Sequence, residues 1–171
     1  MRGCDMAAFV ALNGCPSASY VFSALRPDSA NGQHHDRVRV APPNAAAPAA
    51  GYPMVYLLDG NAASSKLDER LLESLSMHGD VPVLVFIADD SALRIDAVER
   101  SLDDTPACYG DGRVGTDPLN PQRRTGGAAA FAQLIATRIR LAGGRARGGG
   151  IVSDRRDGAI RMAGCSCYRC C

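Results

Sequence analysis

Long apolar runs are missing from this sequence. Its longest, Met54 to Leu58 and Val81 to Ala88, fall far short of the roughly 20 residues that a membrane-crossing helix needs, so no transmembrane segment is expected. Aromatic residues are scarce at 5%, and tryptophan is absent. The arginines therefore do not alternate with aromatics in the basic stripe that marks a nucleic-acid-binding face, and nucleic acid is not an expected partner. A disulfide framework is missing too. Cys4, Cys15 and Cys108 are scattered while Cys165, Cys167, Cys170 and Cys171 crowd the C-terminal end, whereas a secreted scaffold spreads its bridges so that each closes a useful loop.

What remains is an ordinary globular composition, 46% hydrophobic and 22% charged over 171 residues, a length that suits one core. The net charge of +1 hides an asymmetry. Before Leu141 there are 13 basic and 16 acidic residues, and from Leu141 onward 6 and 2. The body is mildly acidic and the tail basic. At the other end, Arg2, the apolar stretch Ala7 to Leu12 and the run Leu12-Asn13-Gly14-Cys15 outline a lipoprotein export signal with Cys15 as the acylated residue. Asp5 and the shortness of the stretch speak against it, and a cytoplasmic location is the expectation.

Hydrophobic patterning predicts an α/β fold. Tyr20 to Leu25 and Val38 to Val40 read as an antiparallel strand pair across a turn rich in Pro27, Asp28, Asn31 and Gly32. The Ala/Pro-rich loop Pro42 to Pro53 ends it. Met54 to Leu58 is continuously apolar, as in a parallel strand buried on both faces. Asp59-Gly60-Asn61 stops it, with Gly60 expected to supply a positive φ and Asn61 a local hydrogen bond. A helix capped by Ser64 or Ser65 follows, with Leu67, Leu71 and Leu75 as its buried stripe and Gly79 as its end. Val81 to Ala88 is the second buried strand. Residues 89–125 read as one long loop, and Ala128 to Leu141 as a helix with Phe131, Leu134, Ile135 and Ile139 on one face. Beyond it come glycines and six arginines without an apolar period. The expected organisation is a disordered N-terminus (1–19), an α/β domain (20–141) and a disordered tail (142–171).

The stretch Gly51-Tyr52-Pro53-Met54-Val55-Tyr56-Leu57-Leu58-Asp59-Gly60-Asn61 resembles the signature of bacterial siderophore-triester esterases, the enterobactin and salmochelin esterases of the α/β-hydrolase superfamily. Arg100-Ser101-Leu102-Asp103-Asp104-Thr105-Pro106 resembles their Arg-Thr-x-Asp-Tyr-Thr-Pro loop, with Asp104 in place of tyrosine. Thr125-Gly126-Gly127 resembles the turn that opens their next helix. The resemblance spans about residues 20 to 141. It implies a truncated α/β-hydrolase whose substrate is a small-molecule ester such as a ferric catecholate siderophore. It also implies an oxyanion hole drawn from the backbone of Gly60, Asn61 or Ala62. No cofactor is expected.

The resemblance also says what should come next and does not. The family's nucleophile stands in Gly-x-Ser-x-Gly, a sharp strand-to-helix turn, and none of the 171 residues form that motif. Gly164-Cys165-Ser166 comes nearest, but Tyr168 stands at the second glycine. His34, His35 and His78 all precede the place where the nucleophile belongs, whereas in this fold the histidine comes last. The chain is thus expected to be inactive by itself, and a shift of reading frame near Leu141 would account for the tail. Without the nucleophile's strand, the edge of Met54 to Leu58 would stay open to self-association, and Phe131 and Ile135 would be partly exposed.

Two other readings compete. In the first the chain is a non-catalytic binding or regulatory protein whose Arg100, Arg123 and Arg124 hold an anionic ligand. In the second the tail cysteines bind zinc. Four sulfurs are the right number, but Cys-x-Cys and adjacent Cys-Cys are poor chelating spacings, so no metal site is expected.

Overall fold

The computed structural model describes residues 17–27, 36–49, 51–77, 79, 81–107 and 113–139. The three histidines, the seven cysteines and Ser166 lie outside these residues, as do the expected tail and all of the expected N-terminal segment before residue 17. The described residues form an α/β fold in two compact units. One holds residues 17–95 with 138 and 139, and the other holds residues 96–137.

The first unit is built on a four-stranded mixed sheet in the order β1-β2-β4-β3. Strand β1 (Ser23–Leu25) pairs antiparallel with β2 (Asp36–Ala41), as expected. Strand β2 pairs antiparallel with β4 (Val83–Asp89), with Val40 opposite Val85. Strand β3 (Met54–Leu57) runs parallel to β4, with Tyr56 opposite Val85. Of the two apolar runs, only β4 is buried on both faces, from Val83 through Ala88. Strand β3 is half-buried and its Val55 is 40% exposed, which corrects the expectation of double burial. Both runs are apolar enough for a central position, but β4 has β2 on one side and β3 on the other, while β3 has only β4 among the described residues.

Between β3 and β4 the chain forms two helices where one was expected, α1 (Gly60–Ser64) and α2 (Glu69–Ser76). The break has a local cause. Asp68 adopts an extended backbone, and its carboxylate accepts the Leu71 amide at 2.8 Å, the usual N-cap arrangement. Restarting the helix there resets its phase. Leu72 is the buried residue, at 4% exposure, and Leu71 is turned outward at 43%. Leu72 packs with Tyr20, Ala41, Leu84 and Phe86, and Leu57, Leu67 and Leu75 lie around them. Fully burying one such side chain stabilises by about 1.5–3 kcal/mol. Ahead of this core, Ser17 Oγ and the Ala18 amide both donate to Glu69 Oε1 at 3.0 Å, so these two residues of the expected disordered N-terminus are hydrogen-bonded to α2.

One polar group in this core has no partner among the described residues, the Tyr20 hydroxyl. Burial pushes its pKa above the ordinary tyrosine value. The associated stability is fully present below pH about 10 and is lost as pH rises through the raised value. Tyr20→Phe is expected to be neutral or stabilising by about 1 kcal/mol at pH 7, because it removes a buried unsatisfied group. It should also flatten the alkaline end of a urea-midpoint profile against pH.

The second unit replaces the expected loop with regular structure: α3 (Ala97–Asp103), then an antiparallel hairpin of β5 (Gly115–Asp117) and β6 (Asn120–Thr125). Asp96 caps α3, its Oδ1 accepting the Val98 and Glu99 amides. Helix α4 (Ala128–Leu134) follows, continued by a wider π-helical turn over Ile135–Ile139. Phe131, Leu134, Ile135 and Ile139 are all buried, as their spacing predicted. The partial exposure expected of Phe131 and Ile135 is not seen; they are 8% and 2% exposed. Among the described residues no helix is long and apolar enough to cross a membrane.

Candidate functional site

Strand β3 ends in a turn that folds at once into α1, and the turn's geometry is set by Asp59. Its φ of 50° and ψ of 47° are left-handed, and no other described non-glycine residue has a positive φ. The expected positive φ at Gly60 is therefore corrected to Asp59, a residue type that tolerates this region better than most. Gly60 serves another purpose. A β-carbon placed on it would lie 2.9 Å from the backbone N, C and O of Ile87 on β4, so its lack of a side chain lets α1 start directly against the strand.

The left-handed backbone has a second effect. Asp is among the best N-cap residues because its carboxylate normally bonds to first-turn amides. Here Asp59 occupies the N-cap position, but its side chain makes no such bond. Its carbonyl accepts the Ala63 amide at 2.9 Å, so the amides of Gly60, Asn61 and Ala62 are first-turn donors without an acceptor inside the helix. Gly60 and Asn61 are buried and Ala62 is half-buried.

Asn61 does not make the expected local hydrogen bond. Its Nδ2 reaches across to the turn after β4, donating to Leu93 O at 2.9 Å and Ser91 O at 3.4 Å. Behind it, Ser64 Oγ donates to Asn61 O at 3.1 Å, and Arg39 Nη1 donates to Ser64 Oγ at 3.4 Å. The loop is thus braced from the sheet and from the 91–93 turn. Arg39 and Ser64 were missed as site neighbours. The alternation along β2, with Val38 and Val40 buried and Arg37 and Arg39 between them half-buried, was the available signal.

The three arginines considered for ligand binding all lie in the second unit. Arg100 is exposed on α3, and its Nε pairs with Asp104 Oδ2 at 3.0 Å, one helical turn away. Arg123 and Arg124 are neighbours on β6 and so point to opposite faces, Arg123 half-buried and Arg124 exposed. The three do not form a single cluster.

The two short motifs around them do come together. Gly126 donates its amide to Thr105 Oγ1 at 2.9 Å, and Thr105 Oγ1 donates to Ser101 O at 2.5 Å. Gly127 donates to Leu102 O at 2.8 Å, and Ala128 to Thr105 O at 3.1 Å. The segments 100–106 and 125–127, widely separated in sequence, form one hydrogen-bonded joint between α3 and α4.

Comparison with known proteins bears on the sequence and the fold as a whole. No family model matches the chain. It is 42% identical over 123 residues to the apo-salmochelin esterase of Escherichia coli O6:H1, covering 72% of this chain and 38% of that protein. Among solved structures, it is similar to the enterobactin and salmochelin hydrolase IroE, with a TM-score of 0.62 and 40% identity over 74% of this chain and 47% of the other. A complex of IroE with DFP gives a TM-score of 0.63 at 42% identity, covering 48% of that chain. The BES protein of Bacillus cereus shares the fold at 22% identity and a TM-score of 0.56. In sequence and in fold the chain resembles the siderophore-triester esterases of the α/β-hydrolase superfamily, and it spans less than half the length of the relatives it matches.

Proposed function

We propose that this chain is the part of a carboxylic-ester hydrolase that stabilises the reacting carbonyl, its ester being a small molecule of the siderophore kind, and that these 171 residues do not turn over such an ester unaided. The observation that carries the reading is the turn at Asp59. A parallel strand ends in a left-handed residue, its side chain leaves the helix start uncapped, and the amides of Gly60, Asn61 and Ala62 are left as donors. As an attacked ester carbonyl becomes tetrahedral, negative charge gathers on its oxygen. Fixed amides aimed at that oxygen favour the transition state over the ground state, and one such donor is worth roughly 10²–10³ in rate. The Asn61 side chain and Ser64 hold the loop in place, so little reorganisation is needed as the charge appears.

Donors act only on a reaction that has an attacking group. With no Gly-x-Ser-x-Gly in the sequence, hydrolysis of a p-nitrophenyl ester by the purified chain is expected to match the buffer rate. Turnover above buffer that Ser166→Ala abolishes would show the second half of the proposal to be wrong. The first half is tested by a chimera in which the matched 123 residues of the E. coli esterase are replaced by the corresponding segment of this chain. Ester hydrolysis is expected from it. A chimera that is folded by circular dichroism and binds the ester but does not cleave it would overturn the reading.

A further inference from the structure

Three arginines, Arg26, Arg37 and Arg39, lie on the paired strands β1 and β2 or just beyond them, and they are unequally provided with counter-charge. Arg26 Nη1 and Arg37 Nη2 share a single carboxylate, that of Asp90, at 3.1 and 2.8 Å. Arg39 has none. Its one hydrogen bond among the described residues is the 3.4 Å contact to Ser64 Oγ, and that hydroxyl's own proton is already given to Asn61 O. Arg39 is half-buried on β2, opposite Phe86 of β4 and Ala24 of β1. Desolvation, with Arg37 close by, lowers its pKa from the ordinary arginine value. A guanidinium remains charged under such conditions all the same.

A charge taken partly out of water and set beside a like charge is costly unless an opposite charge meets it. The carbonyls at the end of α1 do not supply this. Arg39 makes no hydrogen bond to any of them among the described residues; they accept instead from Ser64 Oγ (Asn61 O), Ser65 Oγ (Ala62 O), the Lys66 amide (Ala63 O) and the Leu67 amide (Ser64 O). Most of the five guanidinium N–H groups thus have no acceptor among the described residues, and they lie in a planar fork that matches two oxygens of one anion.

We propose that Arg39, beside Ser64 of α1 and with Arg37 as its neighbour, anchors a site for a small oxyanion, a carboxylate or phosphate group held by two parallel hydrogen bonds. The site does not depend on the ester-hydrolase reading.

The test is thermal unfolding of the full chain in rising phosphate or acetate, with ionic strength held constant by sodium chloride. One or both anions are expected to raise the melting temperature saturably while chloride does not, and the stronger of the two identifies the oxyanion class. Arg39→Gln should weaken the response at least about tenfold. Arg39→Lys, which keeps the charge and loses the fork, should recover only part of it, and Arg94→Gln, at an exposed position after β4, should leave it unchanged. An equal response to chloride, or a full response in Arg39→Gln, overturns the proposal. If Arg39→Gln does not fold, calorimetric titration of the unaltered chain with both anions decides the matter, and absence of saturable binding in the millimolar range counts against the site.

Discussion

Gly60→Ala is expected to destabilise the first unit by about 3 kcal/mol, at the upper end of overpacking costs. Substitution of a first-turn glycine by alanine ordinarily helps a helix by up to about 1 kcal/mol, and Gly60 has no positive φ to protect. The sign is reversed by what the new methyl group would meet. All three atoms at 2.9 Å belong to the backbone of Ile87, in the middle of a strand paired on both sides, so no side chain can swing aside. Relief would require α1 to move off β4, pulling the Asn61 side-chain amide away from Leu93 O. Urea unfolding measures this directly. A loss of about 3 kcal/mol raises the unfolded fraction by roughly a hundredfold, and a loss below about 0.5 kcal/mol would show that α1 is free to shift.

The second large effect is expected at Gly127→Ala, about 2 kcal/mol. Its β-carbon would lie 2.9 Å from Leu102 O and 3.0 Å from Leu102 Cγ. The same carbonyl accepts the Gly127 amide at 2.8 Å, so the close approach is the geometry of the bond itself. Leu102 is buried at 3% exposure. Its side chain can yield a little, which makes the cost smaller than at Gly60, but its carbonyl cannot without giving up the bond. The variant should lose amide hydrogen-exchange protection at Gly126 and at the substituted residue together, since both bonds belong to one joint. Retained protection at both with unchanged stability would show that the joint is not what holds α3 to α4.

These two glycines also mark how far the sequence could be read. Both lie in stretches singled out by resemblance. The helix after Gly127 begins at Ala128 as the sequence predicts, whereas Gly60, expected in a strand-ending turn ahead of a helix capped by Ser64 or Ser65, itself opens α1. The atoms that make each glycine necessary, Ile87 and Leu102, are distant in sequence, and no local pattern names them. The same limit governs β3. An apolar pentapeptide reports that a strand is present, but burial depends on how many neighbours the strand has, and strand order is a property of the sheet. Helix α3 was missed for the opposite reason. It is seven residues long with a single buried side chain, Leu102, too little for a period to emerge among the surrounding Asp residues. At the candidate site, the positions of Gly60, Asn61 and Ala62 were legible from the motif. The left-handed Asp59 was not, because the residue that most often caps a helix gives no sign that here it does not.

The strand order has a further consequence, for the timing of folding during synthesis. Strands β2 and β3 emerge before β4, yet neither pairs with the other; each waits for β4 to complete the sheet, with Asp36 opposite Asp89 and Leu57 opposite Phe86. At about 5–20 residues per second, several seconds pass in which two strands, one of them the apolar Met54–Leu57, are outside the ribosome without their shared partner. Of the sheet, only the β1–β2 hairpin can form in that interval. Once Asp89 is released, two ladders close on one strand in a single event. A nascent chain stalled before β4 is therefore expected to engage ribosome-associated chaperones, and one stalled well beyond Asp89 to be released from them.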